Sequence, residues 1–360
     1  MSESENKPAR VLIIDDSALV RELLTGIISS DPRLTVVGTA PDPIIARDKI
    51  KALSPDVLTL DVEMPRMNGI EFLEKIMRLR PMPVVMISTL TREGADTTLR
   101  ALELGAFDYV AKPTQRLTEA IEPLKREICD KVAAAAKARV RGLSPAPKAA
   151  HASAAADTSD PARYAGLDVI GLGASTGGVE ALGEVLSAIP PDAPGIAIVQ
   201  HLPGAYTSRF ASRLDGQLPL KVVEAEDGMP IQPGHVYIGR GEKRFEVTKG
   251  AGGKPVCRIT DGEKESGHLP SIDRLFASLA AFGPRAAGAL LTGMGRDGVN
   301  GLKQMRTAGA VTIAQDQATS VVYGMPRAAM EEGAASRQLA LPRIAGALLE
   351  AAAGKTGVGK

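Results

Sequence analysis

Three loops in the C-terminal half of the chain each hold one reactive residue just past an apolar run. Ser175 lies in Gly173-Ala174-Ser175-Thr176-Gly177, His201 in Gln200-His201-Leu202-Pro203, and Asp297 in Gly293-Met294-Gly295-Arg296-Asp297-Gly298. The runs before them are residues 169–172, 196–199 and 286–291. A serine, a histidine and an aspartate brought to one sheet edge can carry out acyl transfer. The hydroxyl attacks a carbonyl, the imidazole takes its proton, and the carboxylate fixes the imidazole tautomer. Ser175 also precedes an expected helix over 178–187, whose N-terminal N–H groups would favour an oxyanion.

Other roles for these residues compete. A serine before a helix is most often a plain N-cap. Gly171-Leu172-Gly173 could open a dinucleotide turn, but the third glycine of Gly-x-Gly-x-x-Gly would fall at 176, which is threonine, so the fingerprint fails. Gly-x-Ser-x-Gly fits a nucleophile elbow, yet the order serine, histidine, aspartate is not that of α/β-hydrolases. Of the four histidines, His151 falls in linker-like sequence, His235 in a turn-rich stretch and His268 near a helix start. His201 alone directly follows a buried run, which makes it the best general base, with His268 in reserve. Asp316, after the run 311–314, rivals Asp297 as the partner of the histidine.

A second constellation occupies the first third of the chain. Asp15 and Asp16 follow the run 11–14, Asp61 follows 57–60, Ser88 follows 84–87, and Lys112 follows 107–110. Crowded carboxylates invite a hard divalent cation such as Mg²⁺. A facing lysine and hydroxyl suit an incoming phosphoryl group. Asp15 and Asp16 taken alone could equally be helix caps.

These residues need sheet edges to hold them. Residues 11–14, 34–38, 57–60, 84–87 and 107–110 read as buried strands, alternating with amphipathic stretches such as 18–29 and 69–79. That alternation predicts a parallel sheet covered on both faces. It returns after an Ala/Pro-rich stretch taken as a linker at 129–165, dividing the chain into 1–128 and 166–354. A helix is plausible over 125–140. The turn-rich region 216–267 reads as hairpin material at 236–238 and 245–247. A length of 360 residues suffices for two cores, and a net charge of +1 implies no nucleic-acid partner. Two cysteines with no metal or redox spacing, and no membrane-length apolar run, predict a cytoplasmic protein without membrane insertion.

Val-Leu-Ile-Ile-Asp15-Asp16-Ser, Asp61-Val-Glu-Met-Pro65-Arg-Met-Asn-Gly69, Ser88 and Lys112-Pro113 together resemble a two-component receiver domain over residues 9–128. The resemblance implies that Asp61 accepts a phosphoryl group from a sensor histidine kinase. It also implies that Asp15, Asp16, Asp61 and the backbone carbonyl of Glu63 hold Mg²⁺, and that Ser88 and Lys112 couple phosphorylation to shape. Over 166–350, five segments are similar to the catalytic domain of the chemotaxis protein-glutamate methylesterase/protein-glutamine glutaminase family. They are Gly-Leu-Gly-Ala-Ser175-Thr-Gly-Gly178, Val-Gln-His201-Leu-Pro, Arg209-Phe-Ala-Ser-Arg-Leu-Asp215, His268-Leu-Pro-Ser-Ile-Asp273 and Leu-Thr-Gly-Met294-Gly-Arg-Asp297-Gly. That family implies a triad of Ser175, His201 and Asp297, with backbone support for the oxyanion at Met294 and Thr176. No metal is needed for ester hydrolysis. The implied substrates are methyl-accepting chemoreceptors, and a monomer is expected. The fold class expected is α/β throughout: a five-stranded, flavodoxin-like receiver followed by a doubly wound, Rossmann-like hydrolase domain.

Overall fold

The computed structural model describes residues 7–64, 67–88, 92–112, 121–138, 163–265 and 267–354. Pro65, Pro113, His151 and most of the expected linker lie outside the described residues. The chain divides into two compact units, Met1–His151 and Ala152–Lys360.

The first unit alternates strand and helix: β1 (Ala9–Ile14), α1 (Ala18–Ser29), β2 (Leu34–Ala40), α2 (Pro43–Leu53), β3 (Val57–Asp61), α3 (Gly69–Leu79), β4 (Val84–Ser88), α4 (Arg92–Glu103), β5 (Asp108–Ala111) and α5 (Ile121–Lys137). The strands form one parallel sheet in the order β2-β1-β3-β4-β5. All of β3 and β4 is buried, as expected when helices cover both faces. Helix starts are set locally. Asp42 accepts from the N–H groups of Ile44 and Ile45, with Pro43 in the first turn. Asn68 accepts from Glu71 N–H at 2.8 Å. Helix α3 then buries the stripe Phe72, Leu73, Ile76 and Met77. Gly69 is required by proximity, because a Cβ there would lie 1.9 Å from the Asp61 carbonyl oxygen. The boundary expected at 128 falls inside α5, where Ile128, Cys129, Val132, Ala133 and Ala135 are buried. The alanines there continue α5, within the stretch 125–140 expected to be helical, since alanine is the best helix former.

The second unit contains β6 (Val169–Ala174), α6 (Gly178–Ser187), β7 (Gly195–Gln200), α7 (Gly204–Asp215), β8 (Lys221–Glu224), β9 (His235–Ile238), β10 (Arg244–Lys249), β11 (Pro255–Thr260), α8 (Ile272–Leu279), β12 (Ala286–Leu290), α9 (Val299–Thr307), β13 (Val311–Gln315), α10 (Met325–Glu331), β14 (Arg337–Leu339) and α11 (Leu341–Ala352). Seven strands make a parallel sheet in the order β14-β13-β12-β6-β7-β9-β8. Residues 236–238, expected as hairpin material, belong instead to β9, which lies between β7 and β8 and is parallel to both. Parallel neighbours usually need a helical crossover, but residues 225–234 join β8 to β9 without one, and that short link imitates a hairpin turn in sequence. Residues 245–247 do form a hairpin, β10 with β11.

From β6 the chain proceeds to one side through β7 and to the other through β12, β13 and β14. The order therefore reverses between β6 and β12, and the loops beyond the carboxyl ends of these strands open the crevice of a doubly wound sheet. Gly171 and Gly173 have a packing role here. A Cβ at either would lie 2.3 Å from Leu279 or Ile272, so their absence lets α8 lie close against β6.

Candidate active site

Ser175 and His201 stand at the ends of neighbouring strands. Ala174 pairs with Gln200 in the β6–β7 ladder, so the next residue on each strand faces across a spacing of about 4.8 Å between strands. His201 N–H donates to the Ala174 carbonyl at 3.2 Å. The third loop is tied to the first, with Ser175 N–H donating to the Thr292 carbonyl at 3.0 Å. The buried Thr292 hydroxyl donates to the Thr176 carbonyl and accepts from Val322 N–H. Gln200 binds the Ser175 carbonyl from below, at 2.9 Å. The three loops singled out in sequence thus converge at the switch point.

Asp297 is 2% exposed and accepts five hydrogen bonds. Oδ2 receives His201 Nε2 at 2.9 Å and Ile272 N–H at 2.8 Å. Oδ1 receives the Ser271 hydroxyl at 2.9 Å and the N–H groups of Asp273 and Gly298, each at 3.1 Å. The carboxylate therefore closes the N-terminus of α8, where free N–H groups favour an anion. Burial opposes its charge, but the His201 contact and the Ile272 and Asp273 N–H groups outweigh that and hold the carboxyl below the usual carboxylate range. An ionised carboxylate can only accept, so the bonded proton is on Nε2 of His201. Its Nδ1 is buried and has no hydrogen-bond partner among the described residues. Among the described residues no hydrogen bond joins Ser175 Oγ to His201, although the two residues follow paired ends of neighbouring strands. Met294, in the same loop as Asp297, is half-buried, and its N–H has no hydrogen-bond partner among the described residues.

Asp316, the rival acid, is engaged elsewhere, accepting from the N–H and hydroxyl of Thr319 at 2.9 and 2.6 Å. His268 lies ahead of α8 rather than on it, and its ring is stacked on that of His201. Sequence reasoning assigned no role to Ser271. Its position as the N-cap of α8, two residues before an acidic residue in the first turn, was the available signal.

In the first unit Asp15 and Asp61 are fully buried and Asp16 is exposed, and their carboxylate oxygens lie within 4.8 Å of one another. Lys112 Nζ approaches Asp61 at 2.8 Å and Asp15 at 3.4 Å. Burial, reinforced by the charge of Asp15, pushes the Asp61 carboxyl up to about 6 despite Lys112 and the Glu63 N–H. Asp15 is raised as well, chiefly by burial. Three carboxylate oxygens this close, those of Asp15 and Asp61 on carboxyls raised by burial, suit a hard divalent cation. The Ser88 hydroxyl meets that of Thr98 at 2.9 Å.

The CheB methylesterase family model matches residues 170–348, and the response regulator receiver domain model matches residues 11–122. Over 347 residues, 95% of this chain and 97% of the other, 50% of positions are identical to a protein-glutamate methylesterase/protein-glutamine glutaminase 1 of Xanthomonas campestris. The chain belongs to the CheB methylesterase family. A second CheB relative, from Caulobacter vibrioides, is 51% identical over 352 residues, 96% of this chain and 98% of that one. The CheB catalytic domain from Thermotoga maritima, known from its crystal structure, is 34% identical, with a TM-score of 0.49 over 51% of this chain and 97% of that chain. Membership makes the chain a carboxylic ester hydrolase under response-regulator control, with the receiver in the first unit and the CheB domain in the second. No helix among the described residues is long and apolar enough to cross a membrane.

Proposed function

We propose that Ser175, His201 and Asp297 hydrolyse γ-glutamyl methyl esters on the cytoplasmic region of chemoreceptors. Ser175 Oγ attacks the ester carbonyl as Nδ1 of His201 takes its proton, and Asp297 holds Nε2–H and stabilises the resulting imidazolium. The tetrahedral oxyanion is met by backbone N–H groups around Thr176 and Met294 at the mouth of α6. His201 returns the proton to the leaving oxygen and methanol departs. Water then splits the acyl-serine, restoring glutamate and the serine hydroxyl. The same sequence applied to glutamine expels ammonia. No metal takes part in it. The observation that carries this reading is the 2.9 Å link from Asp297 to His201, which leaves the other ring nitrogen unpartnered one strand away from Ser175.

In the receiver, Asp15, Asp16, Asp61 and the Glu63 carbonyl would hold Mg²⁺, which neutralises phosphoryl charge while Asp61 is phosphorylated by a sensor histidine kinase. Lys112 and Ser88 then respond to the new charge. The reading places the protein in the cytoplasm, working as a monomer. Methanol release from a methylated receptor fragment tests the esterase assignment. Folded Ser175→Ala should lose activity by about a millionfold, and near-normal release would refute the assignment.

A further inference from the structure

The catalytic reading leaves one contact unexplained. The ring of His268 lies flat on that of His201, with centroids 3.8 Å apart and planes 5° from parallel. The two residues come from separate segments. His201 follows β7, whereas His268 sits on a loop ahead of α8.

That loop is anchored at several points. Glu265 and His268 exchange two backbone hydrogen bonds of 2.9 Å. The Glu265 carboxylate binds Arg274 Nε and faces Arg244, one residue from α8 and one from β10. Glu242 N–H donates to the Leu269 carbonyl at 3.0 Å. Beyond His268, Ser271 both caps α8 and bonds Asp297. One short segment therefore presents a flat ring to one face of the imidazole and a hydroxyl to the acid that holds its edge.

Resting on the triad reading above, we infer that His268 is a positioning residue for the general base. A single hydrogen bond at Nε2 leaves the His201 ring free to swing about that bond. A parallel ring at van der Waals distance removes this freedom and fixes the direction of the Nδ1 lone pair. It also keeps water off that face of the imidazole. The requirement is for a flat ring, not for a second titrating group.

The test is methanol release by the full-length protein acting on a methylated receptor fragment, with kcat and KM measured for His268→Ala, His268→Leu and His268→Phe. Misplacing a reacting group by about 1 Å can cost about 100-fold. His268→Ala and His268→Leu should therefore lose about 10- to 100-fold in kcat with KM nearly unchanged, and His268→Phe should recover most of the loss. The leucine variant fills the space without a flat ring and keeps the comparison decisive should the alanine variant unfold. Wild-type kcat in both ring-less variants would overturn the inference. So would a phenylalanine variant as inactive as alanine, which would make the imidazole of His268 itself part of the chemistry. His201→Ala, run alongside, separates the two levels. It should be inactive, and if it is active the triad reading falls first and takes the positioning role with it.

Discussion

Asp61 and Asp297 are both sealed from solvent, at 0% and 2% exposure, and each ends or follows a strand at the carboxyl edge of a parallel sheet. Their surroundings push them in opposite directions. Asp61 shares its site with Asp15 and Asp16, and burial raises its carboxyl to about 6. Asp297 is saturated by five donors and is held below the ordinary range. On the proposed roles, a carboxylate that reacts with phosphorus beside a cation is left short of partners. One proposed to stay charged while its neighbour reacts receives five donors. Burial alone does not distinguish the two roles; the count of donors does.

The largest break in that comparison is Asp297→Asn. An amide keeps the shape but presents N–H on one side, so it cannot accept all five bonds, and the His201 tautomer is no longer fixed. Methanol release should fall about 10⁴-fold in kcat, as for the equivalent change in a serine protease. A loss of less than tenfold would mean that Asp297 serves α8 and not the imidazole.

Asp61→Asn breaks the other side, and with the opposite sign in stability. It should abolish stimulation by a small phosphodonor while leaving basal methanol release intact. The folded-state value of about 6 exceeds the ordinary 3.8, so ionised Asp61 destabilises the receiver. That penalty is full above about 6 and gone below 3.8. With divalent cations chelated, Asp61→Asn should therefore slow receiver amide exchange at neutral pH, and the advantage should fade as pH falls through that window. For Asp297 the sign reverses. Its depressed carboxyl contributes stability above the unfolded value that is lost as pH drops through the folded one, so Asp297→Asn should destabilise the second unit at neutral pH. Faster receiver exchange in Asp61→Asn would contradict the contrast.

The smallest effect expected is for Ser271→Ala. It removes one of the five donors to Asp297 and the cap of α8 together. Thermal unfolding should show a loss of about 1 kcal/mol, the usual cost of an N-cap. The kcat should fall only a few-fold, because the backbone donors remain.

Legibility in the sequence followed the range of each interaction. The helices over 18–29, 69–79 and 178–187 could be read to the residue, because apolar periodicity, and in the first two a side-chain cap, is local. The strands carrying Asp61, Ser175 and His201 stood out as continuous apolar runs, the mark of a sheet buried on both faces. The placing of β9 could not be read, since its partners β7 and β8 are chosen by packing across the sheet and its link imitates a turn. Residue type and spacing alone left Asp297 and Asp316 as rivals, and it was the resemblance to the methylesterase family that favoured Asp297. Both follow strands, and only the approach of α8 to β6 decides which carboxylate is filled by donors. The same approach explains Gly171 and Gly173, whose spacing in sequence first suggests a nucleotide turn.

The central claim is that Asp297 orients His201 to activate Ser175. The most direct measurement is covalent labelling by a serine-reactive phosphonate, with the adduct located by mass spectrometry in wild type, His201→Ala and Asp297→Asn. The label should sit on Ser175, form fastest in wild type, and form at least about 100-fold more slowly in both variants, as removal of a general base or its orienting acid requires. Labelling of Ser175 at the wild-type rate in folded His201→Ala, or labelling of another serine altogether, would contradict the account.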